Sequence, residues 1–356
     1  MLSTTRKVLG TIVAIMFIIV TVPVLFVLPA EWILFQPQPY IRALQNQNFY
    51  ENMPAWLAGE AVNNGNNGAG NSQSKILAGL GQQGYQNIFS QLMPQNWIQS
   101  QTNNLITNLF DYLNFKQTTL NLNVDLRQVK TRFSGAQGQA VSKAIVSSWP
   151  ACSTAQLLAV ITQLSQGSNL ANLPLCQPPQ EYLPLAYQLV QVTLSGMTGT
   201  LPDQLNITSL AGISSGGDPT QSAAWQQTFQ TYKLFRLGMQ FSPVLSLVLL
   251  LFLALITFRS ARTGWSWLGI TILITGVFGI LIAVILYLTG DLIVQQLVTA
   301  VFGGLLGGLT DALIKAITEV FNRFYLWSAG VALIASILGL ILFLISRLFP
   351  APARSY

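Results

Sequence analysis

VLGTIVAIMFIIVTVPVLFVL, residues 8–28, and MQFSPVLSLVLLLFLALITF, residues 239–258, decide the fold, because each is an uncharged apolar run long enough to cross a hydrocarbon core. A crossing helix needs about 20 such residues, since it rises ~1.5 Å per residue through a layer ~30 Å thick. Working outward from these two, Ser266 to Leu288 and Phe324 to Ser346 are further runs of the same kind, and none of the four contains Asp, Glu, Lys or Arg. Composition agrees, with 51% hydrophobic and 8% charged residues in a chain of 356, where soluble domains carry about 25% charged. The first run follows Arg6 and Lys7 but exceeds a secretory core in length and ends without an Ala-x-Ala-like site, so a retained anchor is expected.

The expected fold class is an integral membrane α-helical protein: four transmembrane helices, with a mainly α, minor β extracytoplasmic domain inserted between the first and second. The divisions are a cytoplasmic N-terminus 1–7, span one 8–30, the outer domain 31–238, span two 239–258, a cytoplasmic loop 259–265, span three 266–289, an outer amphipathic helical hairpin 290–323, span four 324–346 and a cytoplasmic tail 347–356.

Orientation follows from basic residues, which stay on the cytoplasmic side. Arg6, Lys7, Arg259, Arg262, Arg347 and Arg354 fill the three inner segments, which hold no acid. The other eleven basic residues and all eleven acidic residues then fall outside and cancel, so the net charge of +6 is entirely cytoplasmic. The basic balance therefore reports orientation in a cell membrane and not nucleic-acid binding. Trp32, Trp265, Trp267, Tyr287, Tyr325 and Trp327 mark the span ends as aromatic belts do.

Within the outer domain, Asn63 to Ser72 is rich in Asn and Gly and reads as a flexible loop over 63–72. Apolar spacing after Pro94 predicts a helix over 94–115, and alternation from Leu120 to Leu126 predicts a short strand. Helices are expected over 128–148, from a capping box at Ser153, and after Pro184. Asp218-Pro219 opens a stalk helix, 219–238, that should run into the second span and kink near Pro243. Cys152 and Cys176 are the only cysteines, and a lone pair in an oxidising compartment is expected to bridge.

Residues 290–323 are too apolar for a solvated loop. Gly303/Gly307 and Gly304/Gly308 are small-xxx-small pairs that permit close helix approach. Asp311, Lys315, Glu319 and Arg323 follow at a four-residue interval with alternating sign, which places successive ion pairs on one helix face. These eight residues are the candidate interface. Burial in the membrane interface, beneath the outer domain, or against a neighbouring subunit all remain open.

With no histidine in the chain, histidine-dependent nucleophiles and histidine metal sites are excluded. No nucleotide or calcium motif occurs, and the four spans lack the ionisable residues that ion coupling uses. No catalytic residue, cofactor or metal is expected. The expected partners are the lipid bilayer and either another copy of the chain or another membrane protein, in a non-enzymatic structural or interaction role. The order of one span, a large outer domain and three spans is similar to the permease subunits of mechanotransmitting ABC systems of the MacB and FtsX kind, which implies a transporter-associated role. Four spans with both ends inside also resemble the layout of claudins and connexins, which implies an oligomeric pore or junction, although their cysteine and tryptophan motifs are absent from the first outer loop.

Overall fold

The computed structural model describes residues 2–67, 80–165, 176–199, 201–207, 223–258, 261–302 and 307–349. It is 86% helical and contains four helices long and apolar enough to cross a membrane. Two units are distinguished: residues 1–43, 217–298 and 314–356 form one, and residues 44–216 with 299–313 form the other.

In the first unit, α1 (Leu2–Pro29) runs into a π-helical turn, Ala30–Leu34, and α2 (Pro37–Asn46) follows. The remaining crossing helices, numbered after those of the second unit, are α10 (Ala223–Thr257), α11 (Ala261–Phe302) and α12 (Gly307–Leu348). Ala14, Leu253 and Leu268 bring α1, α10 and α11 together in one buried cluster. Phe26 of α1 meets the Phe324 ring of α12 at 6.3 Å. Helices α11 and α12 approach so closely that only glycine fits: a Cβ on Gly276 would lie 2.6 Å from the Ala332 carbonyl oxygen, and one on Gly339 would lie 2.3 Å from the Leu273 nitrogen. Such contacts supply the dispersion that holds helices together where lipid removes the hydrophobic drive.

Hydroxyls in this unit are satisfied locally, as a medium without water demands. Thr257, Thr275 and Ser328 each donate to the carbonyl one turn back, at 2.7–2.8 Å. Thr21 and Ser246 hydrogen-bond each other at 2.6 Å, joining α1 to α10. Pro243 lies within α10 and has no N–H for the Met239 carbonyl; the neighbouring Ser242 hydroxyl donates to that carbonyl at 2.7 Å. The expected continuity of the stalk with the second span therefore holds from Ala223 onward, and residues 219–222 lie outside the described residues.

The two helices expected as an outer amphipathic hairpin over 290–323 are continuous with the flanking apolar helices. The first half of that segment is the end of α11 and the second half the start of α12, each a single helix of 42 residues. At ~1.5 Å per residue each is about 63 Å long, roughly twice a hydrocarbon core.

The second unit begins with α3 (Phe49–Asn67). That helix continues past Asn63, where a loop was expected, and residues 68–72 lie outside the described residues. It is followed by α4 (Gln82–Leu92), α5 (Gln95–Leu113), β1 (Asn123–Asp125), α6 (Arg127–Ser134), α7 (Ala136–Ser147), α8 (Thr154–Ser165), α9 (Leu183–Gly199) and β2 (Gln204–Asn206). Helices α4, α6 and α9 pack on α7, whose Val141, Ile145 and Val146 are almost fully buried with Val190 of α9.

The helix expected over 128–148 breaks at Gly135. The cause sits at Gly138, where a Cβ would be 1.7 Å from the Phe133 carbonyl oxygen, so the start of α7 folds tightly against the end of α6. The strand expected over 120–126 is reduced to β1, which pairs antiparallel with β2 in the register Val124↔Leu205. The capping box at Ser153 closes reciprocally: the Ser153 N–H donates to Gln156 Oε1 at 2.9 Å and the Gln156 N–H donates to Ser153 Oγ at 3.4 Å.

Candidate functional site

A polar cluster of the first unit forms where the apolar run of α1 ends and that of α10 begins. The π-helical turn Ala30–Leu34 admits one extra residue per turn, and the Phe35 N–H donates to the Ala30 carbonyl at 3.1 Å. Glu31 on this turn forms an ion pair with Arg236 of α10 through Nη1 and Oε1. The Arg236 side chain is only 4% exposed and that of Glu31 27%, so the pair is largely withdrawn from solvent. The guanidinium carbon lies 3.7 Å from the centre of the Phe35 ring, a cation–π contact strengthened by the same desolvation. Tyr40 closes the end of the turn by donating to the Leu34 carbonyl at 3.1 Å, and burial pushes its phenol up to about 12. The cluster fastens the turn after α1 to α10 through an ion pair and a ring contact.

Arg236 falls within the stalk expected over 219–238, but nothing in the sequence pairs it with Glu31. The available signal was one charge of each sign, at the end of the first apolar run and just before the second.

In the second unit, Cys152 and Cys176 are bridged, with a Cα–Cα distance of 4.8 Å. The bridge is reinforced by backbone: the Cys152 N–H donates to the Gln177 carbonyl at 3.1 Å, and the Gln177 N–H donates to the Pro150 carbonyl at 2.8 Å. Lys130 donates to Asp203 at 2.6 Å, fixing α6 to the approach of β2. Beside β1, the Arg127 guanidinium holds the Asp125 carboxyl down at about 2.

Of the candidate interface residues, Gly307 and Gly308 begin α12, while Gly303 and Gly304 lie outside the described residues. Asp311, Lys315, Glu319 and Arg323 share one face of α12, and the Glu319–Arg323 pair closes at 2.6 Å. Asp311 and Lys315 are exposed. Of the basic residues expected to set orientation, Lys7 lies in the second turn of α1, Arg262 in the first turn of α11 and Arg347 in the last turn of α12. Arg6 lies in α1 with an undescribed side chain, and Arg259 and Arg354 lie outside the described residues. Among the described residues, no group of three or more Cys, Asp or Glu side chains converges.

Four long apolar helices, packed through glycine and satisfied internally, define a multi-pass membrane protein. Comparison with protein-family models, with curated proteins and with solved structures finds no match.

Proposed function

We propose that this chain is a non-enzymatic, membrane-anchored interaction protein that works as a subunit of a homo-oligomeric or larger membrane assembly. On this reading both termini are cytoplasmic, and the domain between the first and second spans lies outside the cell membrane. The charge partition in the sequence supports that orientation.

One observation carries the assembly reading. Helix α11 extends past the length a bilayer covers, yet Leu292, Ile293 and Leu297 in its distal part are 64%, 50% and 61% exposed. Large apolar side chains beyond the hydrocarbon gain from being covered, at roughly 25 cal/mol per Å². A neighbouring protein or a second copy supplies that cover.

Native mass spectrometry and cross-linking of the gently solubilised protein test the proposal. Oligomers or a stoichiometric partner are expected, weakened by Leu292→Gln with Leu297→Gln; a strict monomer with no co-purifying protein would overturn it. Orientation is tested separately with single cysteines at exposed Asn87 and Ala261. An impermeant maleimide should label the first in intact cells and the second only after permeabilisation.

A further inference from the structure

We propose that the end of the membrane unit bearing Lys7, Arg262 and Arg347 is a binding face for anionic phospholipid headgroups. The three cations come from three helices, and helix packing brings their levels together. Gly10 faces Ile256 and Thr257, Gly264 faces the Phe258 ring, and Gly269 faces the backbone of Phe343. Lys7, Arg262 and Arg347 each lie within about two helical turns beyond those contacts, on the same end of the bundle.

Among the described residues, no carboxylate lies near them along their own helices. Along α1 the first acid is Glu31, along α11 it is Asp291, and back along α12 it is Glu319. Each is roughly 35–45 Å away at the helical rise, several times a Debye length of about 8 Å at physiological salt. Arg347 instead stacks over the Phe343 ring at 5.2 Å, which leaves its N–H groups for an anion.

The surroundings select a lipid over a soluble anion. Lys7 is followed by Val8 and Leu9, 55% and 48% exposed, and Arg347 is followed by Leu348, 82% exposed. Trp265 meets Phe258 edge-on at 5.4 Å beside the Arg262 turn, as an interfacial aromatic does. Cations with bare hydrocarbon beside them match a molecule carrying a phosphate and acyl chains together. Inorganic phosphate or a soluble polyanion would leave the apolar part uncovered.

The proposal is independent of the assembly reading and is tested on the full chain in nanodiscs. One set contains phosphatidylcholine alone and the other phosphatidylcholine mixed with phosphatidylglycerol. Native mass spectrometry should show phosphatidylglycerol retained over phosphatidylcholine, with each of Lys7→Gln, Arg262→Gln and Arg347→Gln lowering that preference about fivefold. Arg262→Lys with Arg347→Lys should keep it, as should Lys116→Gln with Lys143→Gln, exposed cations of the second unit. Equal retention of both lipids, or a preference untouched by the neutral variants, would overturn the proposal. Displacement of phosphatidylglycerol by millimolar inorganic phosphate would overturn the lipid as the ligand.

Discussion

Arg236 and Glu31, 205 residues apart in sequence, tie α10 to the π-helical turn that follows α1. Removing one partner strands a desolvated charge, whereas removing both with apolar replacements of similar size does not. Glu31→Gln and Arg236→Gln should each destabilise the unit by about 3 kcal/mol, and Glu31→Leu with Arg236→Met by much less. Thermal unfolding of the four proteins in one micelle system checks this. Additive losses in the double variant would mean the pair does not act as a unit.

Gly276 and Gly339 set the spacing of α11 and α12, because their missing side chains are replaced by backbone of the facing helix. Gly276→Val should separate the helices and lower stability by about 3 kcal/mol or more, while Gly330→Ala, with open space around it, should be nearly neutral. A disulfide placed between the helices would form readily in the parent and Gly330→Ala proteins and poorly in Gly276→Val.

Phe115 has φ of 60° and occupies the position after α5 where glycine is customary. The Lys116 N–H donates to the Asp111 carbonyl at 2.8 Å and the Phe115 N–H to the Tyr112 carbonyl at 3.0 Å, a complete Schellman ending. Phe115→Gly should relieve the left-handed strain and raise stability by about 0.5–1 kcal/mol, read from denaturant midpoints. A lower midpoint would show that the ring's contacts outweigh the strain.

Asp125 is held down at about 2 by hydrogen bonds from Arg127. A carboxylate depressed in the folded state contributes stability that is present above its unfolded value of 3.8 and fades as pH falls through about 2. Protection factors of the β1–β2 amides, corrected for the intrinsic pH dependence of exchange, should therefore be flat above pH 4 on this account and fall towards pH 2. In Arg127→Gln the Asp125 titration should move up towards 3.8.

Legibility in the sequence followed the range of the forces involved. Uncharged runs and helix caps are local, so the four crossings and the Ser153 box could be read directly. The break at Gly135 could not, because it depends on Gly138 meeting the Phe133 carbonyl in the folded chain. The extent of α3 through Asn67 defeated composition, since Asn and Gly lower helix propensity by less than about 1 kcal/mol each. The Glu31–Arg236 fastening spans two helices distant in sequence, and only their packing makes it visible.

Pro23 and Pro243 each remove one backbone hydrogen bond, from α1 and from α10, and both lie a few ångströms to the same side of the Thr21–Ser246 contact. Two neighbouring rods, each weakened at one depth and pinned there by a single hydroxyl pair, form a flexure. From the flexure to the Arg236 fastening is about 10 Å of stiff helix, so a sideways load on that end of the two helices would be converted into bending at the pin rather than sliding of one rod past the other.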